Sequence, residues 1–298
     1  MGVTPRTAVV VGVDGSESAL GAVRWAAAEA ARRGAPLRLV AAVTWTVYQP
    51  IGVPALGVEY QRQILVQAAG QYLEAAAATA QQVAPELDVT TEVRGGEPTT
   101  VLRDEATRAR MIVLGTRGRG GFTGLLLGLV AIAVAAHAEA PVIVVRGNGA
   151  LRDTAAPIVV GVDRGPQGEA ALAFAFDEAT RRRVPLVAVH AWGDPIIDPY
   201  LAGYVDRDVI EADERQTFDE RLVTWTAKYP DVPVERVVAR DSAAAALVHR
   251  SRDAALVVVG SRGRGTVRGL LLGSVGQAVL HHADAPVAVV RPEADRAE

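Results

Sequence analysis

The 298 residues are half hydrophobic and include no cysteine, with 31 lysines and arginines against 34 aspartates and glutamates, a formal net charge of −3. That length fits two domains of about 150 residues. The missing cysteines exclude disulfides, thiolate nucleophiles and cysteine metal sites and match a reducing cytosol, while the charge balance, with aromatics at 5%, argues against nucleic acid or an anionic membrane as partner.

The chain enters a strand-length valine run at once, without the apolar core of a signal peptide. Its longest apolar run, 125–136, is shorter than the roughly 20 residues of a bilayer span. A cytoplasmic protein is expected, with that run as a buried helix.

Residues 9–13, Val-Val-Val-Gly-Val, form a β-branched stretch of the kind buried on both faces of a parallel sheet. Asp14-Gly15-Ser16-Glu17-Ser18 then supply a turn and an N-cap, and a helix is predicted over 19–33, stopped by Gly34. A second strand follows at 36–43, a loop punctuated by Pro and Gly at 44–57, and a long helix at 58–83. A third strand at 87–93, a helix at 99–107 and a fourth strand at 110–115 lead into the loop Gly115-Thr116-Arg117-Gly118-Arg119-Gly120. A helix over 128–137 and a strand over 141–146 close the half. Strands alternating with helices imply right-handed crossovers and a parallel sheet covered on both faces.

The polar stretch 148–156 reads as a linker between a first domain, 1–147, and a second, 157–298. The pattern then restarts. Ile158-Val159-Val160-Gly161-Val162-Asp163 repeats the stretch ending at Asp14 at an offset of 149 residues, and Gly260-Ser261-Arg262-Gly263 repeats the first glycine loop at an offset of 145. This is a tandem duplication whose length change belongs in a loop. Strands are predicted at 158–162, 186–191, 233–239, 254–260 and 287–290, with helices at 168–182, 205–228, 242–250 and 274–282.

In open parallel sheets a ligand sits at the carboxyl ends of the strands, where the strand order reverses. Asp14 and Asp163 end first strands and the glycine loops end fourth strands, so acid and loop would face one crevice in each half. Glycines let backbone amides approach a phosphate, and a helix beginning right after the loop aims its unpaired N–H groups at the anion. Gly273-Ser274 stands at such a start. The Ser274 hydroxyl is one further donor, and Arg262 and Arg264 bring positive charge. An acid repels phosphate but suits a ribose hydroxyl or an adenine amino group, so the combination describes a mononucleotide site such as one for ATP. Neither Gly-x4-Gly-Lys-Ser/Thr nor a Gly-x-Gly-x-x-Gly after the first strand is present.

The pattern Gly-x2-Gly-x9-Gly-Ser, met at Gly260, Gly263, Gly273 and Ser274, resembles the nucleotide loop of universal stress proteins. The Val-Gly-Val-Asp-Gly-Ser start and the Ala-Pro-Val-x-Val-Val end at 285–290 are similar to that family as well. The resemblance covers almost the whole chain, twice, in the layout of tandem-domain members from actinobacteria. It implies two open α/β sandwiches, Rossmann-like, each with a five-stranded parallel sheet of order 3-2-1-4-5. It also implies binding of ATP, with or without Mg2+, and pairing through the fifth strands, within the chain or in a homodimer. A role in stress survival or dormancy through unnamed protein partners follows from the same likeness. Carried over position by position, the binding residues of the first half are Asp14, Ala42, Gly115, Arg117, Gly118, Gly128 and Val130. Those of the second half are Asp163, Ala191, Gly260, Arg262, Gly263, Gly273, Ser274 and Val275.

Two departures stand out. Leu129 replaces the hydroxyl residue of the first loop but keeps its backbone N–H, a loss of about 0.5–1.5 kcal/mol for one hydrogen bond. In the second half, Arg164-Gly165-Pro166 replaces Gly15-Ser16-Glu17. The second site is expected to be the better occupied.

Other readings stay open. The loops could be plain turns, and Arg262, Arg264 and Arg268 a solvated basic face. The fold could serve as an interaction module without nucleotide, or as a slow ATPase, although no base is positioned to activate a water. His137, His281 and His282 fall near the ends of the last helices, where the helix dipole accounts for them. His190 is expected to be packed, Trp25, Trp192 and Trp225 to lie in the core, and Ser16 and Ser18 to be caps. No Ser-His-Asp order in a nucleophile-elbow context is found.

Overall fold

Val9, Val10 and Val11 are at most 1% exposed, as a β-branched strand packed under helices on both faces must be. The computed structural model describes residues 7–44, 55–118, 127–147, 155–163, 165–192, 207–240, 242–261 and 272–292. The chain divides into two compact units, Met1–Leu151 and Arg152–Glu298. Unit 1 runs β1 (Val9–Gly12), α1 (Glu17–Arg33), β2 (Leu37–Val43), α2 (Ala55–Val83), β3 (Val89–Gly95), α3 (Pro98–Ala106), β4 (Met111–Gly115), α4 (Leu129–His137) and β5 (Val142–Val145). Unit 2 repeats the order as β6 (Ile158–Gly161), α5 (Pro166–Arg182), β7 (Leu186–Ala191), α6 (Arg207–Lys228), β8 (Val234–Ala239), α7 (Ala243–Arg250), β9 (Leu256–Gly260), α8 (Ser274–His282) and β10 (Val287–Val290).

Within unit 1 the strands lie in the order β3-β2-β1-β4-β5, and within unit 2 in the order β8-β7-β6-β9-β10. All these pairings are parallel. This is the expected 3-2-1-4-5 arrangement, twice. Its consequence for function lies at β1, which pairs with β2 on one side (Gly12 with Val40) and β4 on the other (Val11 with Val113). Chain order reverses there, and the carboxyl ends of the three strands converge.

Local chemistry sets the boundaries. Ser16 caps α1 by accepting from Ala19 N at 3.1 Å, so the helix begins at Glu17, earlier than the apolar pattern predicts. Helix α2 begins at Ala55, inside the stretch predicted as loop; most of that loop, 45–54, and the loop after β7 lie outside the described residues. Helix α4 departs from the expected buried helix. Ala131, Val134, Ala135 and Ala136 are buried, but Leu129 is 71% exposed. Trp25 and Trp192 are core residues as expected. Trp225 is only half-buried, in a three-ring cluster with Phe176 and Tyr229, its indole N–H donated to Glu169. Among the described residues no helix is long and apolar enough to cross a membrane.

One ion-pair network fixes α3. Arg38 on β2 reaches Glu105 at 2.9 Å and also Glu92, while Arg94 on β3 reaches Glu105 at 2.8 Å and Asp104 at 2.7 Å. The end of α3 is thereby tied to two strands, with Pro98 and Leu102 on the same helix.

Candidate functional site

The carboxyl ends of β1, β2 and β4, with α3 and the start of α4, enclose a cavity of about 340 Å³ in unit 1. Asp14, Ala42, Gly115, Arg117, Gly118, Gly128 and Val130 all line it. The structure therefore brings together all seven binding residues that the resemblance implies for the first half.

Asp14 follows β1, and its Oδ1 accepts from Ser16 N at 3.1 Å and from Ser16 Oγ at 2.7 Å. The Ser16 hydroxyl also lies 3.2 Å from the carbonyl oxygen of Arg117. Ser18, expected to be a cap, does something else: its Oγ is 3.4 Å from Thr116 Oγ1 and accepts from Arg117 N at 3.3 Å. The two serines thus join the first turn of α1 to the loop after β4. The approach is close enough to require glycine, because a Cβ on Gly115 would stand 2.6 Å from the backbone carbonyl of Ser18.

Helix α4 starts at the far side. Gly128 is its N-cap, with its own N–H given to Thr116 O at 2.7 Å, and the first helical bond runs from Ile132 N to Gly128 O at 3.2 Å. The amides of Leu129, Val130 and Ala131 are first-turn donors with no acceptor four residues back, and all three residues line the cavity. Among the described residues no side chain caps this end. Val40, Leu102, Leu114 and Leu127 supply apolar wall.

The chemistry divides by side. Apolar surface and a carboxylate lie near β1 and β2, while the first-turn amides of α4, without partners among the described residues, and the Arg117 guanidinium lie near the loop. A flat apolar group with hydroxyls suits the first, and an anion suits the second. Leu102 and Pro98 are wall residues that sequence reading passed over. Val101, Leu102 and Ala106 are the buried residues of α3, a spacing that marks a packed face and gives no sign that part of it opens on a cavity.

In unit 2 the matching positions fall on matching elements. Asp163 follows β6, Ala191 ends β7, Gly260 ends β9, Gly273 caps α8, and Ser274 and Val275 open that helix. Gly273 N donates to Ser261 O at 3.0 Å, as Gly128 does to Thr116. Arg262 and Gly263 lie outside the described residues. Asp163 Oδ1 accepts from Gly165 N at 3.1 Å. His190 is packed as expected, 7% exposed and stacked on Phe218.

Residues 5–146 and 155–291 each match the universal stress protein family. A universal stress protein of Mycobacterium tuberculosis strain H37Rv is 40% identical over 291 residues, covering 95% of this chain and 96% of its own length. A second from the same strain is 39% identical over 291 residues, with the same coverage. The crystal structure of a universal stress protein from Archaeoglobus fulgidus superposes with a TM-score of 0.73 at 17% identity, covering 96% of this chain and 99% of that one; at that identity the likeness is one of fold.

Proposed function

The chain belongs to the universal stress protein family as a tandem member with two such domains, and from that premise we propose that it binds ATP, with or without Mg2+, and acts as a nucleotide-dependent regulator in stress response or dormancy. The observation that carries this reading is the unit 1 cavity, where an acid, a glycine-flanked strand end and an open helix start share one space. Asp14 takes a ribose hydroxyl, Val40, Ala42 and Leu102 wall the base, and the phosphates meet Arg117 and the first-turn amides of α4. Asp163, Ala191, Gly260, Gly273, Ser274 and Val275 have the same roles in unit 2, joined by Arg262 and Gly263. Ser274 adds a hydroxyl where unit 1 has Leu129, so unit 2 is the tighter site.

Asp14 is the one carboxylate among the described lining residues and is engaged with the nucleoside in this reading, so hydrolysis is slow. The same proposal places the protein in the cytoplasm and pairs its domains, or two chains, through the fifth strands. Val142–Val145 and Val287–Val290 end the strand order of their own units and are continuous apolar runs, the kind of edge that templates pairing.

Titration of a fluorescent ATP analogue against wild type and the variant Gly263→Ala, Ser274→Ala tests the site. Loss of the tighter binding phase by about tenfold or more, the scale of one to two charge-assisted hydrogen bonds, is expected. Equal affinity would sink the assignment.

A further inference from the structure

In unit 2 the turn that carries the acid is held from a distant helix. Arg221 on α6 donates through Nη1 to the carbonyl oxygen of Asp163 and through Nη2 to that of Gly165 at 3.1 Å. Its Nε donates to Glu169 Oε1 at 2.7 Å, and Glu169 Oε2 accepts from Trp225 Nε1 at 2.9 Å. One residue before the acid, the carbonyl oxygen of Val162 lies 3.1 Å from His190 Nδ1, and His190 Nε2 meets Glu214 Oε2, also on α6, at 2.7 Å. Three carbonyls around Asp163 are therefore gripped by side chains of β7 and α6. Since Asp163 Oδ1 takes its hydrogen bond from Gly165 N inside that turn, the orientation of the carboxylate follows the turn that Arg221 holds.

Unit 1 does the same job differently. There Ser16 and Ser18 tie the acid's turn to the loop after β4. Unit 2 has Gly165 and Gln167 at those positions, and the hydroxyl of Ser261, the counterpart of Thr116, is buried with no partner among the described residues. The long helices can be aligned from their ends, since Val83 precedes β3 at the same distance as Lys228 precedes β8. Arg221 then falls opposite Ala76 and Glu214 opposite Ala69, both buried and unable to donate or accept through a side chain. A planar guanidinium suits the task because its rigid fork directs separate N–H groups at two carbonyls and a carboxylate, where an ammonium offers a compact point charge without that fixed geometry.

We propose that Arg221 is a positioning residue for the nucleotide site of unit 2, holding the carbonyls of Asp163 and Gly165 so that the Asp163 carboxylate is presented to the nucleoside. The proposal rests on the nucleotide reading of that site and adds a residue to it that never touches the ligand.

Hydrogen-exchange mass spectrometry of the full chain, titrated with ATP, reads the two units separately through peptides at the starts of α4 and α8. In Arg221→Met the unit 2 midpoint is expected to rise about tenfold, the scale of one charge-assisted hydrogen bond, with the unit 1 midpoint unmoved as internal control. Arg221→Lys, which keeps the charge and loses the fork, falls between Met and wild type. Adding Arg221→Met to Asp163→Ala changes little further, because the arginine acts only through the acid. Arg221→Met and Arg221→Lys midpoints within twofold of wild type, or effects of Arg221→Met and Asp163→Ala that multiply, would overturn the positioning role while leaving the nucleotide site standing. Absence of ATP protection at α8 in wild type would remove both.

Discussion

Gly118 is a position where the lack of a side chain has a chemical consequence. A Cβ there would stand 2.4 Å from Asp14 Oδ2. The other carboxylate oxygen is held by the N–H and hydroxyl of Ser16, which is also the cap of α1, so the acid cannot swing aside without loosening a helix start. Gly118→Ala is therefore expected to turn Asp14 away from the cavity and weaken ATP binding in unit 1 by about tenfold, one to two hydrogen bonds. The cost to stability should stay near 1 kcal/mol, because Gly118 is exposed. Calorimetric titration with a parallel thermal melt checks both. Unit 1 affinity unchanged in a folded variant would mean that Asp14 does not contact the ligand.

Among the elements, α3 is placed by charge. Burial alone pushes the carboxyl of Glu105 up, but hydrogen bonds from Arg38 and Arg94, reinforced by their charges, outweigh it and hold the group below its usual range. A folded-state value below the unfolded one means the stabilisation is complete above about pH 4.3, the ordinary glutamate value, and is lost as pH falls through the folded value. With Glu105 10% exposed, Glu105→Gln should cost about 1–3 kcal/mol at neutral pH, and the gap to wild type should close in more acidic solution. Urea melts at pH 7 and pH 3.5 decide it, and a gap that ignores pH would contradict the assignment. Almost every element was legible in advance, because β-branched runs and helical spacing recur in both halves at nearly fixed offsets. The contribution of α3 to the cavity was not. Leu102 is spaced like a core residue, and only the packing of its helix beside β1 and β4 makes it wall. Helix α4 misleads in the opposite way, since a first turn apolar all round reads as buried, whereas its start opens on a cavity and leaves Leu129 in solvent.

Across the whole molecule the two units share a strand order but secure their acids by different means, Ser16 and Ser18 in one and Arg221 in the other. Comparison of the halves reveals the loss of the serines, because the first strands align residue for residue. It cannot reveal the replacement, which lies 58 residues from Asp163 in sequence and is brought back only when α6 crosses the sheet. At the helix starts the divergence is simpler, a hydroxyl at Ser274 against an isobutyl group at Leu129, and it should set the order in which the sites fill. Because Leu129 is 71% exposed, Leu129→Ser should cost no more than about 0.5 kcal/mol of stability. It should strengthen ATP binding in unit 1 by about 0.5–1.5 kcal/mol, roughly two- to tenfold. Ser274→Leu should weaken unit 2 by at least as much. In wild type, protection measured by hydrogen exchange should rise first at the start of α8, and in the double exchange first at the start of α4. If the filling order is the same in both proteins, the hydroxyl does not set the asymmetry, and the different anchoring of the two acids becomes the feature to vary next.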